Sequence, residues 1–207
     1  MKPGWVLKES YWLPSADPYV KGIGVGKALK NIVLENVKTW DCMVDGGAHV
    51  GAWSVAFADK FKKVVAVELA PDMSECLAEN VRNFPNVEVV NAALSDKDAM
   101  VGWAPDDRPL STVRRVTEGD SVRTLRIDAL DLPSLGLLKL DLQGYDYFAL
   151  NGARSTLRRC RPVVVFEWKD RCAKRYGVQK NQIPDLLTEL GAKQILVRHL
   201  DNVWAFP

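Results

Sequence analysis

The sequence has few of the residues that bind metals or cross-link small folds. Its 207 residues include four cysteines and two histidines. No two cysteines have the C-x-x-C spacing, and His49 and His199 lie far apart in the chain. This pattern excludes the usual zinc-ligand motifs and a disulfide framework, and it is typical of a reducing compartment. We therefore predict no metal site.

The sequence also lacks a long apolar run and a marked excess of either charge. No apolar stretch is long enough to span a bilayer, and the first residues do not form the apolar core of a secretory signal. The 28 basic and 26 acidic residues give a net charge of +2. We therefore expect a cytoplasmic protein with neither a membrane nor a nucleic acid as partner.

The length and the apolar content suit one α/β domain with a substantial core. Hydrophobic residues make up 47% of the 207 positions, and no internal repeat or low-complexity tract interrupts them. We predict a single domain over residues 1–207. Within it, residues 1–38 form an N-terminal segment with a helix, and residues 39–207 form a Rossmann-like core.

Strand-like and helix-like patterns alternate along this core. Short apolar runs predict strands, and apolar residues near a 3.6-residue period predict helices between them. Such alternation predicts a doubly wound, mostly parallel sheet with helices on both faces. The predicted strands are residues 42–44, 64–67, 87–90, 137–141, 162–167, 194–198 and 203–206, and the predicted helices are residues 25–37, 51–60, 71–83, 145–159 and 183–190.

One segment departs from this alternation. Residues 99–103 and 122–127 have patterns that suit an antiparallel pair. We interpret the polar residues 104–121 between them as a loop. Loops of that length in compact domains are usually functional or disordered.

Acidic residues stand at the carboxyl ends of four predicted strands. They are Asp45, Glu68, Asp141 and Glu167. In open α/β sheets, ligands bind outside the carboxyl ends of the strands. Four acids on one edge of the sheet therefore predict a functional site there.

The turn after the first of these strands is rich in glycine, which permits a positive φ and a close ligand approach. It does not match the G-x-G-x-x-G pattern of dinucleotide sites, because His49 and Ala52 replace the second and third glycines counted from Gly47. Asp45 would also repel a pyrophosphate. S-adenosylmethionine (SAM) carries no phosphate, and its amino and sulfonium groups are positive. The turn therefore favours SAM over NAD, although Glu68 suits the ribose hydroxyls of either.

Several motifs together resemble the FkbM-type methyltransferases. The resemblance covers roughly residues 40–170, and its most family-specific part is residues 139–153. It implies a SAM-binding Rossmann-like domain with an antiparallel last strand, which methylates hydroxyl oxygens of sugars or other small molecules. The motifs are Asp45-Gly46-Gly47-Ala48-His49-Val50-Gly51, Glu68, and residues 90–96, 138–146, 150–153 and 162–167.

Two positions depart from the family pattern. His49 stands where the family often has asparagine, and Gln143 stands where it often has glutamate. If that glutamate has a charge role in relatives, the role is missing here.

The resemblance also implies a role for each matching residue. Asp141 would face the methyl-transfer region, and Glu68 would hold the ribose. The residues expected around the methionine part of SAM are Asp45, Gly46, Gly47, Ala48 and His49, and those expected around the adenine are Leu69, Asn91, Ala92 and Ala93.

Methyl transfer to a hydroxyl needs an in-line approach and benefits from a general base. Asp141 is the first candidate base, with orientation of SAM or capping of the next helix as the alternative. Glu167 is the second candidate, and its alternative is a hydrogen bond to backbone. Lys139 shares a strand face with Asp141, where it takes part in the chemistry, pairs with an acid, or extends its stem to the rim.

Substrate recognition is expected from the polar loop and the N-terminal segment. Trp103, Ser111 and Arg114 suit a polar acceptor, with a solvated loop as the alternative. Trp12 would belong to an aromatic lid or to a contact with a partner subunit. A catalytically idle SAM-binding or scaffold protein is the alternative function, and an NAD-linked oxidoreductase is disfavoured by Asp45 and the broken glycine pattern.

Overall fold

The computed structural model describes residues 4–15, 24–105 and 114–207. Its first half contains β1 (Trp5–Lys8), β2 (Tyr11–Pro14), α1 (Lys27–Asn36), β3 (Cys42–Gly46), α2 (Ala52–Phe57), β4 (Lys63–Glu68), α3 (Pro71–Asn80), β5 (Val87–Asn91), β6 (Ala93–Leu94) and β7 (Met100–Pro105). Its second half contains β8 (Arg114–Leu125), a 3-10 turn (Ile127–Leu130), β9 (Leu137–Leu140), α4 (Asp146–Asn151), α5 (Arg154–Cys160), β10 (Val163–Glu167), α6 (Asp170–Arg175), α7 (Gln182–Glu189), β11 (Lys193–Arg198) and β12 (Asp201–Ala205).

The central sheet has the strand order β11-β12-β10-β9-β3-β4-β5 within the described ranges. Strands β10, β9, β3, β4 and β5 pair in parallel, whereas β12 runs antiparallel to both β10 and β11. The predicted doubly wound sheet with an antiparallel last strand is therefore confirmed. The strand order reverses between β3 and β9, which is the position where such sheets bind ligands.

Alternation along the buried strands builds a core on each face of the sheet. Val44, Leu138 and Val164 pack on one face, and Met43 and Leu137 pack on the other. Strands covered on both faces need apolar residues at nearly every position, which is why they appear in the sequence as continuous apolar runs.

The predicted helix over residues 145–159 is two helices. The chain breaks between α4 and α5 at Gly152, where an added Cβ would lie 2.0 Å from the carbonyl oxygen of Ser95. The carboxylate of Asp128 accepts hydrogen bonds from the backbone N–H groups of Ser155 and Thr156, at 3.1 and 2.8 Å. A carboxylate from outside the segment therefore caps the start of α5.

The antiparallel excursion forms, but it is longer than predicted. Met100 pairs with Arg123 and Val101 with Val122, as the pattern suggested. The loop predicted over residues 104–121 is wrong for residues 104–105, which belong to β7, and for residues 114–121, which belong to β8 and in part pair with β7. Polar side chains are tolerated there because this pair lies outside the central sheet and much of β8 is exposed.

A hairpin of β1 and β2 lies in the N-terminal segment. Its turn residues Glu9 and Ser10 both have positive φ, 47° and 71°, and this turn lacks the Asn-Gly pair that usually indicates such hairpins. The side chain of Asn80 in α3 bonds the backbone N–H and C=O of Trp12 at 2.7 and 3.0 Å. The hairpin thus packs on α3 of its own chain.

None of the helices in the described ranges combines the length and the apolar composition that crossing a bilayer needs.

Candidate active site

The glycine turn lies directly against the end of β9. Gly47 has φ 68°, and an added Cβ would lie 2.2 Å from the backbone oxygen of Asp141. The N–H groups of Gly47 and Ala48 both bond the carbonyl of Val67, at 2.9 and 3.0 Å. The turn therefore joins the ends of β4 and β9, and only glycine fits at position 47.

A buried ion pair holds this turn in place. Asp45 is fully buried, with Oδ2 accepting from the Ser54 hydroxyl at 2.7 Å and Oδ1 lying 3.0 Å from Nζ of Lys139. The same ammonium donates to the carbonyl oxygens of Gly47 and Gly46, at 2.8 and 3.3 Å. Asp45 therefore supports the turn from behind, through Ser54 and Lys139.

Lys139 carries its proton in this setting. Burial works to lower the pKa of Lys139, but Asp45, Asp141 and Glu68 outweigh it, and the net pKa lies above the ordinary lysine value. An ammonium bound to a carboxylate and two carbonyls does not serve as a proton acceptor. The geometry favours the expectation that Lys139 pairs with an acid over the expectation that it takes part in the chemistry.

Glu68 fastens the other side of the turn. Its Oε2 accepts from the backbone N–H of His49 at 2.8 Å, and its Oε1 accepts from that of Ala70 at 2.9 Å. Burial raises the pKa of Glu68, although these two hydrogen bonds oppose the rise. The Asn91 amide donates to the carbonyls of Glu68 and Leu69, at 2.8 and 3.0 Å, so the ends of β4 and β5 are also joined.

Ala92 and Ala93 follow Asn91 with their side chains inside the core. They are 1% and 3% exposed, and the N–H of Ala92 bonds the carbonyl of Glu68 at 3.1 Å. Two of the four residues expected around the adenine are therefore packed into the core. Leu69 and Asn91 are more exposed than Ala92 and Ala93.

His49 has a left-handed backbone, with φ 53°. Asparagine and histidine are both enriched in this conformation, which accounts for histidine at a position where the family often has asparagine. The imidazole Nε2 is buried and has no hydrogen-bond partner among the described residues. Burial lowers the pKa of His49 to about 4, despite the opposing charge of Asp141, so the ring is neutral at neutral pH.

We expect a His49→Asn variant to keep the fold. Its free energy of unfolding should fall less at acid pH than that of the wild type. Between its ordinary pKa of 6.5 and the folded value of about 4, His49 takes up a proton only in the unfolded chain. The free energy of unfolding therefore falls as the pH drops through this window, and the variant removes that contribution. Urea unfolding at about pH 7 and about pH 5 measures the difference.

The matched control is His199→Asn. His199 also has a left-handed backbone, with φ 55°, but it is exposed. We expect the control to have the acid sensitivity of the wild type. An equal response in both variants would contradict the assignment of this sensitivity to the buried ring.

A cavity of about 200 Å³ opens at the ends of β9 and β10. Lys139, Asp141 and Glu167 all line it, so the three predicted catalytic residues reach one space. The rest of the lining is Gly24, Val25, Gly26, Leu29, Trp53, Leu140, Val165, Phe166 and Asp201. The cavity therefore has an acidic floor at the sheet edge and an apolar side at Trp53 and α1.

Lys169 joins the two acids that were candidate bases. Its Nζ lies 3.3 Å from Oδ1 of Asp141 and is in direct contact with Oε2 of Glu167. The Gln143 amide donates to the same Oδ1 at 2.6 Å. Burial and the charge of Asp141 raise the pKa of Glu167, and Lys169 opposes this rise. The sequence did not identify Lys169 as a site residue. It lies after the end of β10, where no periodic pattern indicates which way a side chain points.

The loop after β9 is held by Asp146 rather than by Asp141. The two oxygens of Asp146 accept from the N–H groups of Leu142 and Gly144, at 3.2 and 3.1 Å. Burial, with the nearby Asp141, raises the pKa of Asp146 to about 7. Asp146 thus braces the loop that precedes α4, and the N-cap residue of that helix, Tyr145, makes no side-chain cap.

The residues expected to bind the substrate lie away from the cavity, on another side of the glycine turn. Arg114 lies over the Trp103 ring, 5.6 Å from its centroid, and 3.2 Å from Asp72 at the start of α3. Neither residue lines the cavity, and Trp12 belongs to the hairpin that packs on α3. Ser111 lies outside the described residues.

The family model for the methyltransferase FkbM domain matches residues 45–193 of this chain. A methyltransferase FkbM from Methylobacillus flagellatus has a similar structure, with a TM-score of 0.57 and 16% identity over 86% of this chain and 50% of that chain. The present chain thus spans half the length of that relative. The comparison with curated proteins gives no match.

Two further structures match over nearly their whole length. Precorrin-6y C5,15-methyltransferase from Geobacter metallireducens has a TM-score of 0.55 and 14% identity, over 93% of this chain and 95% of that chain. SMU.1697c from Streptococcus mutans, in complex with S-adenosylhomocysteine (SAH), has a TM-score of 0.55 and 9% identity, over 87% and 97%. At these identities the likeness shows the shared fold.

Proposed function

Because this chain belongs to the FkbM methyltransferase family, we propose that it transfers a methyl group from SAM to a hydroxyl oxygen of a small molecule or sugar. One observation carries the proposal. The glycine turn touches the backbone of Asp141, and Asp141 and Glu167 line the adjoining cavity. A cofactor on the turn and an acceptor in the cavity would therefore be neighbours, as an in-line transfer requires.

The residues around the turn fit SAM. Gly46, Gly47, Ala48 and His49 would hold its methionine part, with Asp45 behind them. The buried Nε2 of His49 is a polar atom that a ligand group would satisfy. A phosphate-bearing cofactor fits less well, because His49 and Ala52 take the places of the second and third glycines of a phosphate-binding turn.

The next strand ends would hold the nucleoside part. Each oxygen of Glu68 accepts one backbone N–H and keeps a lone pair for a ribose hydroxyl. Leu69 and Asn91 would border the adenine, with Ala92 and Ala93 closing the edge behind them. The Asn91 amide donates to two carbonyls at the end of β4, and so fixes the distance between the ends of β4 and β5.

The chain's own residues would orient the acceptor, keep water out and remove its proton. When bound, SAM supplies an electrophilic methyl carbon on a positively charged sulfur. A carboxylate at the cavity accepts the hydroxyl proton while the oxygen–carbon bond forms and the carbon–sulfur bond breaks, its electron pair staying on sulfur. The negative carboxylate and the positive sulfonium are both neutralised, so the step balances in charge.

The lining of the cavity supports a small, hydroxylated acceptor. Asp141, Glu167 and Asp201 offer carboxylate oxygens to hydroxyl groups, and the Trp53 ring offers an apolar face. A volume of about 200 Å³ admits a small molecule or one sugar unit rather than a folded protein surface.

Incubation with SAM and a panel of sugars and small alcohols tests the proposal. We expect SAH to form only when a hydroxylated acceptor is present, and not with the deoxy analogue of that acceptor. Binding of SAM without turnover on any acceptor would favour the idle SAM-binding alternative. Transfer to an amine or a thiol alone would contradict the hydroxyl assignment.

A further inference from the structure

Lys169 occupies a position between the two carboxylates of the cavity. Its Nζ lies 3.3 Å from Oδ1 of Asp141 and touches Oε2 of Glu167. The side chain is only 21% exposed, so its charge is weakly screened by water. An ammonium that bridges two carboxylates holds them at a fixed separation and offsets part of their negative charge.

The backbone holds Lys169 firmly at this point. Glu167 ends β10, and the N–H of Trp168 bonds the carbonyl of Leu200 at 2.9 Å. The carbonyl of Lys169 accepts from the N–H groups of Cys172 and Ala173, at 2.8 and 3.0 Å, in the first turn of α6. The chain between the strand and the helix is thus anchored on both sides of this side chain.

The charged groups around Glu167 come from β9 and β12, which lie beside β10, from β11 beyond β12, and from the residue before α6. Asp141 follows β9, and Asp201 of β12 is paired with Glu167 in the sheet register. Like charges directly opposite in a sheet repel each other. The nearby cations are Lys139, which is bound to Asp45, Lys169 itself, and Arg198 beside Asp201, and the imidazole of His199 also lies near Asp201. Lys169 is therefore the cation in contact with the acid pair in the described part of the chain.

The two carboxylates are not equivalent in their contacts. Oδ1 of Asp141 accepts from both Gln143 and Lys169, at 2.6 and 3.3 Å. Glu167 has Lys169 as its contact, and Asp201 lies across the sheet from it. Asp141 is therefore held by two donors, whereas Glu167 has Lys169 as its donor and lies opposite another carboxylate, that of Asp201, in the sheet. A proton arriving between them would settle on Glu167.

We propose that Lys169 is a positioning residue of the transfer site, which holds Asp141 in place through their contact and leaves Glu167 to accept the proton of the acceptor hydroxyl. This inference rests on the proposed methyl transfer. As the acceptor oxygen bonds the methyl carbon and the carbon–sulfur bond breaks, its proton passes to Glu167, which becomes neutral. Lys169 then remains paired with Asp141, so no charge is left without a partner. The raised pKa of Glu167, due to burial and Asp141, agrees with this role.

Substitution of Lys169 tests the inference by two independent measurements. Lys169→Met keeps the length of the side chain and removes its charge, whereas Lys169→Arg keeps the charge. Carbon NMR of isotope-labelled glutamate follows the titration of Glu167 without SAM or an acceptor. The second measurement is the pH dependence of methyl transfer. Lys174→Met is the matched control, because Lys174 forms an exposed ion pair with Asp170 in the same helix.

In Lys169→Met we expect the pKa of Glu167 to rise by about 1 or more, because a cation within about 4–6 Å is lost. The acidic limb of the pH–rate profile should move to higher pH by a similar amount, and Lys169→Arg should restore both. An unchanged titration of Glu167 in a folded Lys169→Met protein would overturn the inference. A wild-type protein that transfers no methyl group, with Glu167 still responding to Lys169, would refute the proposed function instead.

Discussion

A Glu167→Gln variant is expected to transfer methyl groups about 100-fold more slowly than the wild type, or slower still. Glutamine keeps the size and the hydrogen-bonding oxygen of the side chain but accepts no proton at neutral pH. The affinity for SAM should change little, because Glu167 lies at the end of β10, on the far side of β9 from the glycine turn. Initial rates of SAH formation, with SAM binding measured separately, give the two quantities.

Two further substitutions make this result specific. Glu88→Gln removes an exposed glutamate that pairs with Lys63 on β4, and it should leave the rate unchanged. Asp141→Asn should lower the rate less than Glu167→Gln. The asparagine side chain keeps an oxygen that accepts from Gln143 and Lys169, as Asp141 does in the wild type. A larger loss in Asp141→Asn than in Glu167→Gln would return the role of base to Asp141.

The second large effect is expected in stability. Lys139→Met should lower the free energy of unfolding by about 3–5 kcal/mol, because it leaves the fully buried carboxylate of Asp45 without its cation. The variant also removes the donor to the carbonyls of Gly46 and Gly47. Urea unfolding followed by circular dichroism measures the change.

The control for this effect is an exposed lysine of the same sheet, Lys63 on β4. Lys63→Met breaks an ion pair whose two side chains are each about half exposed, and it should cost about 0–1 kcal/mol. The double variant Lys139→Met with Asp45→Asn should be less destabilised than Lys139→Met alone, since it leaves no unpaired buried charge. A loss below about 1 kcal/mol in Lys139→Met would contradict the account of this ion pair.

The sheet and its acidic edge could be predicted because local pattern encodes them. Strands covered on both faces are apolar at nearly every position, so β4, β9 and β10 are visible as short valine- and leucine-rich runs, and β3 as the apolar run Cys42-Met43-Val44. The sequence position of an acid after such a run then predicts its place at the carboxyl edge. Asp141 and Glu167 line one cavity for this reason.

Other parts depend on contacts between distant residues, which local pattern does not carry. The break at Gly152 follows from its close approach to Ser95, and the start of α5 is capped by Asp128. The bridge formed by Lys169 depends on where the chain turns after β10. The partner of Lys139 was left open by the sequence, because strand alternation shows a shared face but not which acid lies within reach.

The central claim is that the glycine turn and the strand ends beside it bind SAM. Calorimetric titration of the purified chain with SAM, and separately with NAD, tests it most directly. The account predicts saturable binding of SAM with one molecule per chain and no heat signal with NAD beyond dilution. Saturable binding of NAD together with no binding of SAM would contradict it.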